Sequence, residues 1–181
     1  SGRSSGPPGR SWGWHRMDPR WAERVVADAE VSPGDLVLDL GAGTGALTAP
    51  LVAAGARVIA VEMHPGRLEA LRRRFGDDPV TIVRADLADL RLPRRPFRVV
   101  ASPPYGATTA VLSRLLSRGS RLVRADLVVE RGAARRWVEG RAPGAGRWSR
   151  GHQLELGRRV PRSAFRPPPR VDSVVLRITR R

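Results

Sequence analysis

The feature that most constrains the fold is a series of short apolar segments separated by stretches of helical character. The segments are LVLDL (36–40), RVIAVE (57–62), VTIVRAD (80–86), FRVVAS (97–102) and ADLVVE (125–130). They lack polar alternation, which indicates strands buried on both faces. Helical patterns around residues 45–54, 65–75 and 107–118 lie between them. Strands joined in this way predict a parallel sheet covered by helices.

Segments on either side of this pattern complete the predicted architecture. Asp18 and Pro19 are expected to cap and open a helix that precedes the first strand. Near the other end, residues 152–160 and 171–181 alternate between polar and apolar side chains, so they are expected to pair antiparallel at the sheet edge. The sequence thus predicts an α/β fold whose mostly parallel sheet has an antiparallel C-terminal edge.

Length and charge limit the classes of function. The chain has 181 residues and a net charge of +16, and all of its 33 basic residues are arginine. We expect one domain over residues 14–181, a flexible basic arm over residues 1–13, and a polyanionic partner such as nucleic acid. No cysteine is present, and no apolar run reaches the roughly 20 residues of a membrane span. We therefore expect a cytoplasmic protein that uses no metal and is not in a membrane, and the high charge favours a monomer.

A glycine-rich loop follows the first strand of the series. In DLGAGTGA (39–46), Gly41 and Gly43 would let the backbone approach a ligand at a helix N-terminus. Glu62 follows about 20 residues later, where an acidic residue binds ribose hydroxyls. This pattern alone is compatible with either NAD or S-adenosylmethionine. Asp86, at the end of the third strand, would accept from the adenine amine of the cofactor or would cap a turn.

The stretch Ser102-Pro103-Pro104-Tyr105 suits the methylation of a planar amine. Such an amine is a poor nucleophile because its lone pair is delocalised into the ring. The Ser102 hydroxyl and the Pro103 carbonyl would accept from its N–H groups and orient the lone pair, while Tyr105 would stack on the base. The competing interpretation is a Pro-Pro turn beside a tyrosine of the core.

Five stretches together resemble one known family. They are DLGAGTGALT, VEMHP, the Asp86 strand end, ASPPYG and VPRSAFRPPPRVDSVVL, and they are similar to those of the Erm 23S rRNA adenine N6-methyltransferases. The resemblance implies a Rossmann-like class I fold with a seven-stranded sheet, S-adenosyl-L-methionine as cofactor, 23S rRNA as partner, and resistance to macrolide-type antibiotics. The sister family that acts on small-subunit rRNA usually has Leu-Pro-Tyr in place of Pro-Pro-Tyr. DNA methyltransferases with this motif commonly place it before the glycine loop.

The resemblance also assigns residues. It implies that Gly41, Glu62 and Asp86 bind the cofactor, and that Ser102 occupies the usual asparagine position and contacts both the cofactor and the target amine. The N-terminal Gln-Asn-Phe-Leu element of the family aligns with residues 14–17. His15 and Met17 would therefore be cofactor neighbours, although His15 is also compatible with a surface histidine.

RNA contacts are expected from arginine-rich segments, because full-length relatives continue into a helical C-terminal domain whereas this chain ends at Arg181. The candidates are Arg3, Arg10, Arg131, Arg135, Arg136, Trp137, Arg141, Arg147 and Trp148. Arginine pairs with phosphate and stacks on bases, and tryptophan stacks as well. The alternative for residues 131–150 is a helix start followed by a mobile loop.

Two other functions remain open. A non-catalytic RNA-binding or ribosome-assembly factor on the same scaffold would explain the charge. An adenine methyltransferase acting on small-subunit rRNA or on DNA would share the loop and the Ser-Pro-Pro-Tyr motif.

Overall fold

The structure is a computed structural model that describes residues 14–148 and 150–181. Its strands are β1 (Arg16–Met17), β2 (Leu36–Leu40), β3 (Arg57–Glu62), β4 (Val80–Arg84), β5 (Phe97–Ala101), β6 (Leu122–Glu130), β7 (His152–Val160), β8 (Phe165–Arg166) and β9 (Ser173–Arg180). Its α-helices are α1 (Pro19–Asp28), α2 (Thr48–Ala53), α3 (Pro65–Phe75), α4 (Thr108–Leu115), α5 (Arg131–Val138) and α6 (Ala145–Trp148). The predicted arm, with Arg3 and Arg10, lies outside the described residues.

Seven strands form one sheet in the order β4-β3-β2-β5-β6-β9-β7. The five strands from β4 to β6 are mutually parallel, and β9 runs antiparallel to both of its neighbours. The predicted fold class is therefore confirmed. Because the order reverses between β2 and β5, a crevice opens at the carboxyl ends of these strands, where ligands of such sheets bind.

The residues around Asp18 explain why helix α1 begins where it does. Asp18 caps α1 by accepting from the Arg20 N–H at 2.8 Å, and Pro19 fills the first helical position. The helix buries Ala22, Val25 and Val26 against one face of the sheet. Helix α4 covers the opposite face with Val111, Leu112 and Leu115.

The structure also contains elements that the sequence did not predict. Strands β1 and β8 form a separate antiparallel pair in which Met17 lies opposite Phe165. Strand β6 begins at Leu122, three residues earlier than expected, and β4 ends at Arg84. The helix start expected after Glu130 corresponds to α5, and a second short helix, α6, follows within the stretch expected to be a loop.

Trp137 is a correction to the predicted RNA surface. The residue is 3% exposed and belongs to the same core cluster as the buried residues of α4. The helix turns Ala134 and Trp137 inward, because they lie three positions apart on one side of α5. The expectation that Trp137 stacks on RNA is therefore wrong.

Candidate cofactor and adenine site

One cavity of about 870 Å³ lies at the carboxyl ends of β2, β3, β4 and β5. All of the predicted catalytic and cofactor-binding residues line it, namely His15, Met17, Gly41, Gly43, Glu62, Asp86, Ser102, Pro103 and Tyr105. The parallel arrangement explains this convergence, since the loops that follow parallel strands all emerge at the same edge.

The glycine loop forms the floor of the cavity. Gly41 and Gly43 have φ angles of +76° and +59°, in the left-handed region that favours glycine. A Cβ atom on Gly41 would lie 3.1 Å from Pro104 Cδ, and one on Gly43 would lie 2.7 Å from Trp14 Nε1. The loop is therefore in close contact with the Ser-Pro-Pro-Tyr turn on one side and with the N-terminal segment on the other.

Glu62 joins the loop to the end of β3. Its Oε1 accepts from the Gly43 N–H at 2.9 Å, and its Oε2 accepts from the N–H groups of Met63 and His64 at 2.8 and 3.0 Å. The residue is 7% exposed. A carboxylate has about four acceptor positions, so one remains after these three bonds. That position suits a hydroxyl donor, which is the chemistry of a ribose.

Asp39 is a buried acid beneath the same loop, and sequence reasoning did not single it out. Its side chain is 1% exposed and accepts from the Thr48 hydroxyl at 2.8 Å. Burial raises the pKa of Asp39 to about 7; the Thr48 hydrogen bond opposes this rise, and the charge of Glu62 adds to it. A polar residue inside the apolar strand LVLDL was the signal available in the sequence.

Asp86 has the capping role that the sequence offered as one of its alternatives. Its Oδ1 accepts from the Ala88 N–H at 2.9 Å, at the start of a short 3₁₀ turn. The residue is half-buried and also lines the cavity. Since Oδ2 has no bond to any described residue, capping leaves one carboxylate oxygen for a ligand amine.

Ser102 and Pro103 follow β5 directly. Pro103 is buried and Ser102 is half-buried. Within residues 14–148 and 150–181, no hydrogen-bond partner occupies the Ser102 hydroxyl, which lines the cavity. It can therefore accept from a ligand without breaking an internal bond.

Tyr105 is held at both ends. Its Oη is 2.5 Å from Ser173 Oγ on β9, and its ring stacks beside the His15 ring with 6.0 Å between centroids and 27° between planes. Burial raises the pKa of Tyr105; the Ser173 hydrogen bond opposes this, while the charges of Glu130 and Asp172 add to it. The phenol is therefore neutral and half-buried, with its ring at the cavity.

The N-terminal segment, residues 14–17, crosses the cavity. The ring Nδ1 of His15 is 2.7 Å from the Pro167 carbonyl oxygen, to which a protonated Nδ1 donates. The Arg67 guanidinium lies over the Trp14 ring at 4.3 Å and is 4.0 Å from Glu62 Oε2. Trp14, Arg67 and Phe165 also line the cavity, although sequence reasoning did not include them.

The predicted RNA surface outside the cavity is only partly free. Arg135 lies 4.0 Å from Glu139, and two N–H groups of Arg141 donate to the Oε2 atom of the same residue. Arg136 and Arg147 are exposed, and Arg131 is half-buried. The side chain of Trp148 lies outside what the structure describes.

The fold is the Rossmann-like fold of the class I S-adenosylmethionine-dependent methyltransferases, and the candidate site lies where ligands of such sheets bind. One cavity is surrounded by a glycine loop, an acid at the end of β3, an acid after β4 and a Ser-Pro-Pro-Tyr turn after β5. Among the described residues, no cluster of His, Asp and Glu is placed to hold a metal ion, and no helix is long and apolar enough to cross a membrane.

Comparisons with known proteins narrow the class to a family. A family profile described as ribosomal RNA adenine dimethylase matches residues 16–181, and the chain belongs to that family. The chain is 39% identical to a probable ribosomal RNA small subunit methyltransferase A of Methanopyrus kandleri, covering 95% of this chain and 64% of the relative. It is also 39% identical to an rRNA adenine N-6-methyltransferase of Streptomyces fradiae, covering 88% and 52%.

A solved structure gives the same result. The 23S rRNA methyltransferase ErmE superposes with a TM-score of 0.82 at 29% identity, covering 93% of this chain and 70% of that one. The present chain spans between about half and two thirds of the length of the two curated relatives.

Proposed function

We propose that the protein transfers a methyl group from S-adenosyl-L-methionine to N6 of an adenine in 23S rRNA, and so confers macrolide-type resistance. The observation that carries this proposal is the contact between Gly41 and Pro104. Through it, the glycine loop and the Ser-Pro-Pro-Tyr turn become walls of one cavity. The first proline of that turn, Pro103, favours the large-subunit target, because the sister family usually has leucine at this position, before the proline and tyrosine.

The cofactor supplies a methyl group on a positively charged sulfur. The acceptor left on Glu62 suits the ribose, and the free oxygen of Asp86 suits the adenine amine. The loop and the turn that follows β5 line the same cavity, so a cofactor held by the loop would supply its methyl group next to the turn.

The turn orients the target base. The Ser102 hydroxyl and the Pro103 carbonyl accept from the two N6–H bonds, which turns the nitrogen lone pair toward the methyl carbon. The nitrogen forms the new C–N bond as the carbon–sulfur bond breaks and its electron pair goes to sulfur. One N6 proton then leaves to water, so no strong base is required at the turn.

Tyr105 holds the base flat. Stacking of a base on an aromatic ring contributes about 1 to 3 kcal/mol in single-stranded complexes. An unpaired adenine is the expected target, because its extrusion costs less than the opening of a base pair.

The decisive test is methyl incorporation from labelled cofactor into deproteinised 23S and 16S rRNA, followed by mass mapping of the products. The proposal expects label at an adenine of 23S rRNA. Label in 16S rRNA would favour the small-subunit activity that the name of the Methanopyrus kandleri relative indicates. RNA binding without label would favour a non-catalytic assembly factor, and label in DNA offered in a parallel reaction would favour a DNA target.

Resistance is a separate measurement. Expression in a macrolide-sensitive bacterium should raise the inhibitory concentration of a macrolide, and Tyr105→Ala should abolish that rise. If the unaltered protein and the Tyr105→Ala variant raised the inhibitory concentration equally, methyl transfer would not be the cause of the resistance.

A further inference from the structure

A depression lined by arginines lies near the amino-terminal ends of β5 and β6, whereas the cavity lies at the carboxyl ends of the parallel strands. This arginine groove, of about 740 Å³, is formed by residues 90–94, 114 and 117–121. Five arginines line it, namely Arg91, Arg94, Arg114, Arg118 and Arg121. All five are exposed, and no acidic residue lines the groove.

These arginines differ from others near the same sheet edge in having no structural ion pair. Arg98 is 3.2 Å from Asp35, and Arg124 is 3.0 Å from the buried Asp126. By contrast, no carboxylate within residues 14–148 and 150–181 pairs with any of the five groove arginines. Arg114 makes one internal bond, from Nη2 to the Ala88 carbonyl.

An anion in the groove would stabilise this cluster of like charges. Like charges held together on a surface repel one another, and water and salt reduce this repulsion only in part. Guanidinium groups match phosphate oxygens in geometry and charge. The groove is therefore suited to several phosphates in succession, as a nucleic-acid backbone presents them.

Helix α4 and strand β5 both extend from the cavity to the groove. Helix α4 begins beside the cavity, which Thr109 and Ala110 line, and ends at the groove with Arg114. Strand β5 is five residues long, so at about 3.3 Å per residue about 17 Å of strand lies between the two sites. A structured RNA that places one adenine in the cavity is long enough to reach the groove.

We propose that the arginine groove is a second RNA-binding site, which holds the phosphate backbone of the ribosomal RNA away from the reacting adenine. This inference rests on the proposed function only in taking ribosomal RNA as the ligand. It does not depend on which rRNA is methylated. The groove contributes affinity and orientation, and it takes no part in methyl transfer.

The test compares two triple variants with equal loss of charge. Arg91→Gln/Arg94→Gln/Arg118→Gln removes three groove arginines that have no side-chain bond to any described residue. The matched control, Arg20→Gln/Arg57→Gln/Arg72→Gln, removes three exposed arginines outside the groove. Thermal unfolding of both variants should show that each is folded before binding is compared.

Binding to deproteinised 23S and 16S rRNA is then measured over a range of salt concentrations. Each lost phosphate contact should reduce the slope of log affinity against log salt by about 0.7 to 0.9, so the groove variant should lose about 2 to 3. Its affinity at moderate salt should be at least about fivefold below that of the control. Equal slopes and affinities in the two variants would overturn the inference.

A failure of this inference can be distinguished from a failure of the proposed function. Methyl transfer by the unaltered protein tests the reaction, whereas the variants are compared by binding without cofactor. The groove variant should also keep its maximal transfer rate at saturating RNA. A loss of that maximal rate with unchanged affinity would contradict a binding role for the groove.

Discussion

Replacement of Asp39 by Asn should remove a specific pH dependence of stability. The unfolded chain ionises Asp39 near its ordinary value of 3.8, whereas burial raises the pKa to about 7 in the folded protein. Between these values the unfolded state has released a proton that the folded state retains, so stability falls as pH rises. The contribution of Asp39 is complete below about pH 4 and is lost by about pH 7.

The magnitude follows from the two pKa values. At about 1.4 kcal/mol per pH unit, the gap between 3.8 and about 7 corresponds to about 4 kcal/mol. The asparagine of the Asp39→Asn variant would stay neutral at every pH and still accept from the Thr48 hydroxyl. The free energy of unfolding of the variant minus that of the original protein should therefore rise by about 1.4 kcal/mol per pH unit between about pH 4 and 7, and be constant above.

Urea unfolding at several pH values, followed by circular dichroism, measures this difference. The slope is the readout, because any cost of burying the extra amide N–H is the same at every pH. Thr48→Val is a useful control, since it removes the donor that lowers the pKa of Asp39 and should extend the slope to higher pH. A constant difference between about pH 5 and 7 would show that Asp39 is ionised in the folded protein.

Three further substitutions test the site. Ser102→Asn should keep or raise methyl transfer and increase the share of dimethylated adenine seen by mass spectrometry, because an amide reaches further than a hydroxyl and holds the amine more firmly. Ser173→Ala should lower the transfer rate at saturating substrate about tenfold without changing cofactor affinity, since Tyr105 loses the hydrogen bond that fixes its ring. Arg67→Gln should weaken cofactor binding about fivefold in calorimetry, because it removes a cation–π contact of about 1 kcal/mol from the Trp14 wall.

Each of these expectations has its own control. A large loss of activity in Ser102→Asn would mean that the pocket is built around the hydroxyl. Tyr105→Phe removes the same bond as Ser173→Ala, so the double variant should be no slower than either single one; additive losses would exclude the positioning role of Ser173. Arg73→Gln alters an exposed residue of the same helix, and an equal effect there would remove the special role of Arg67.

The first two strands of the parallel sheet were predictable from sequence to the residue, whereas β6 begins three residues before its predicted start. LVLDL and RVIAVE coincide with β2 and β3, because continuous apolar runs bounded by polar turns admit few other structures. The two-residue strands β1 and β8 were not predictable, since two residues carry no periodicity. Their pairing depends on side chains far apart in the chain, such as Met17 and Phe165.

Prediction of the RNA surface failed at Trp137 for a definable reason. A tryptophan among arginines suggests stacking on bases, but the same spacing fits a helix with one apolar side. Ala134 and Trp137 occupy that side and are buried, while Arg135 and Arg136 are exposed. The burial of the side chain distinguishes the two interpretations, and burial cannot be read from the composition of the segment.

The completed cavity depends on residues 14–17, a segment that the glycine loop and the Ser-Pro-Pro-Tyr turn do not include and that only the family resemblance indicated. Trp14 covers the glycine loop while the next residue, His15, lies against Tyr105. Two consecutive residues, Trp14 and His15, thus contact two different walls of the cavity, one formed by the glycine loop and the other by Tyr105. Because His15 is also tied to the Pro167 carbonyl, any shift of this segment on cofactor binding would move the ring beside Tyr105 as well. The geometry at Tyr105 is therefore set in part by the segment that covers the glycine loop, which explains why loop and turn motifs alone gave an incomplete site.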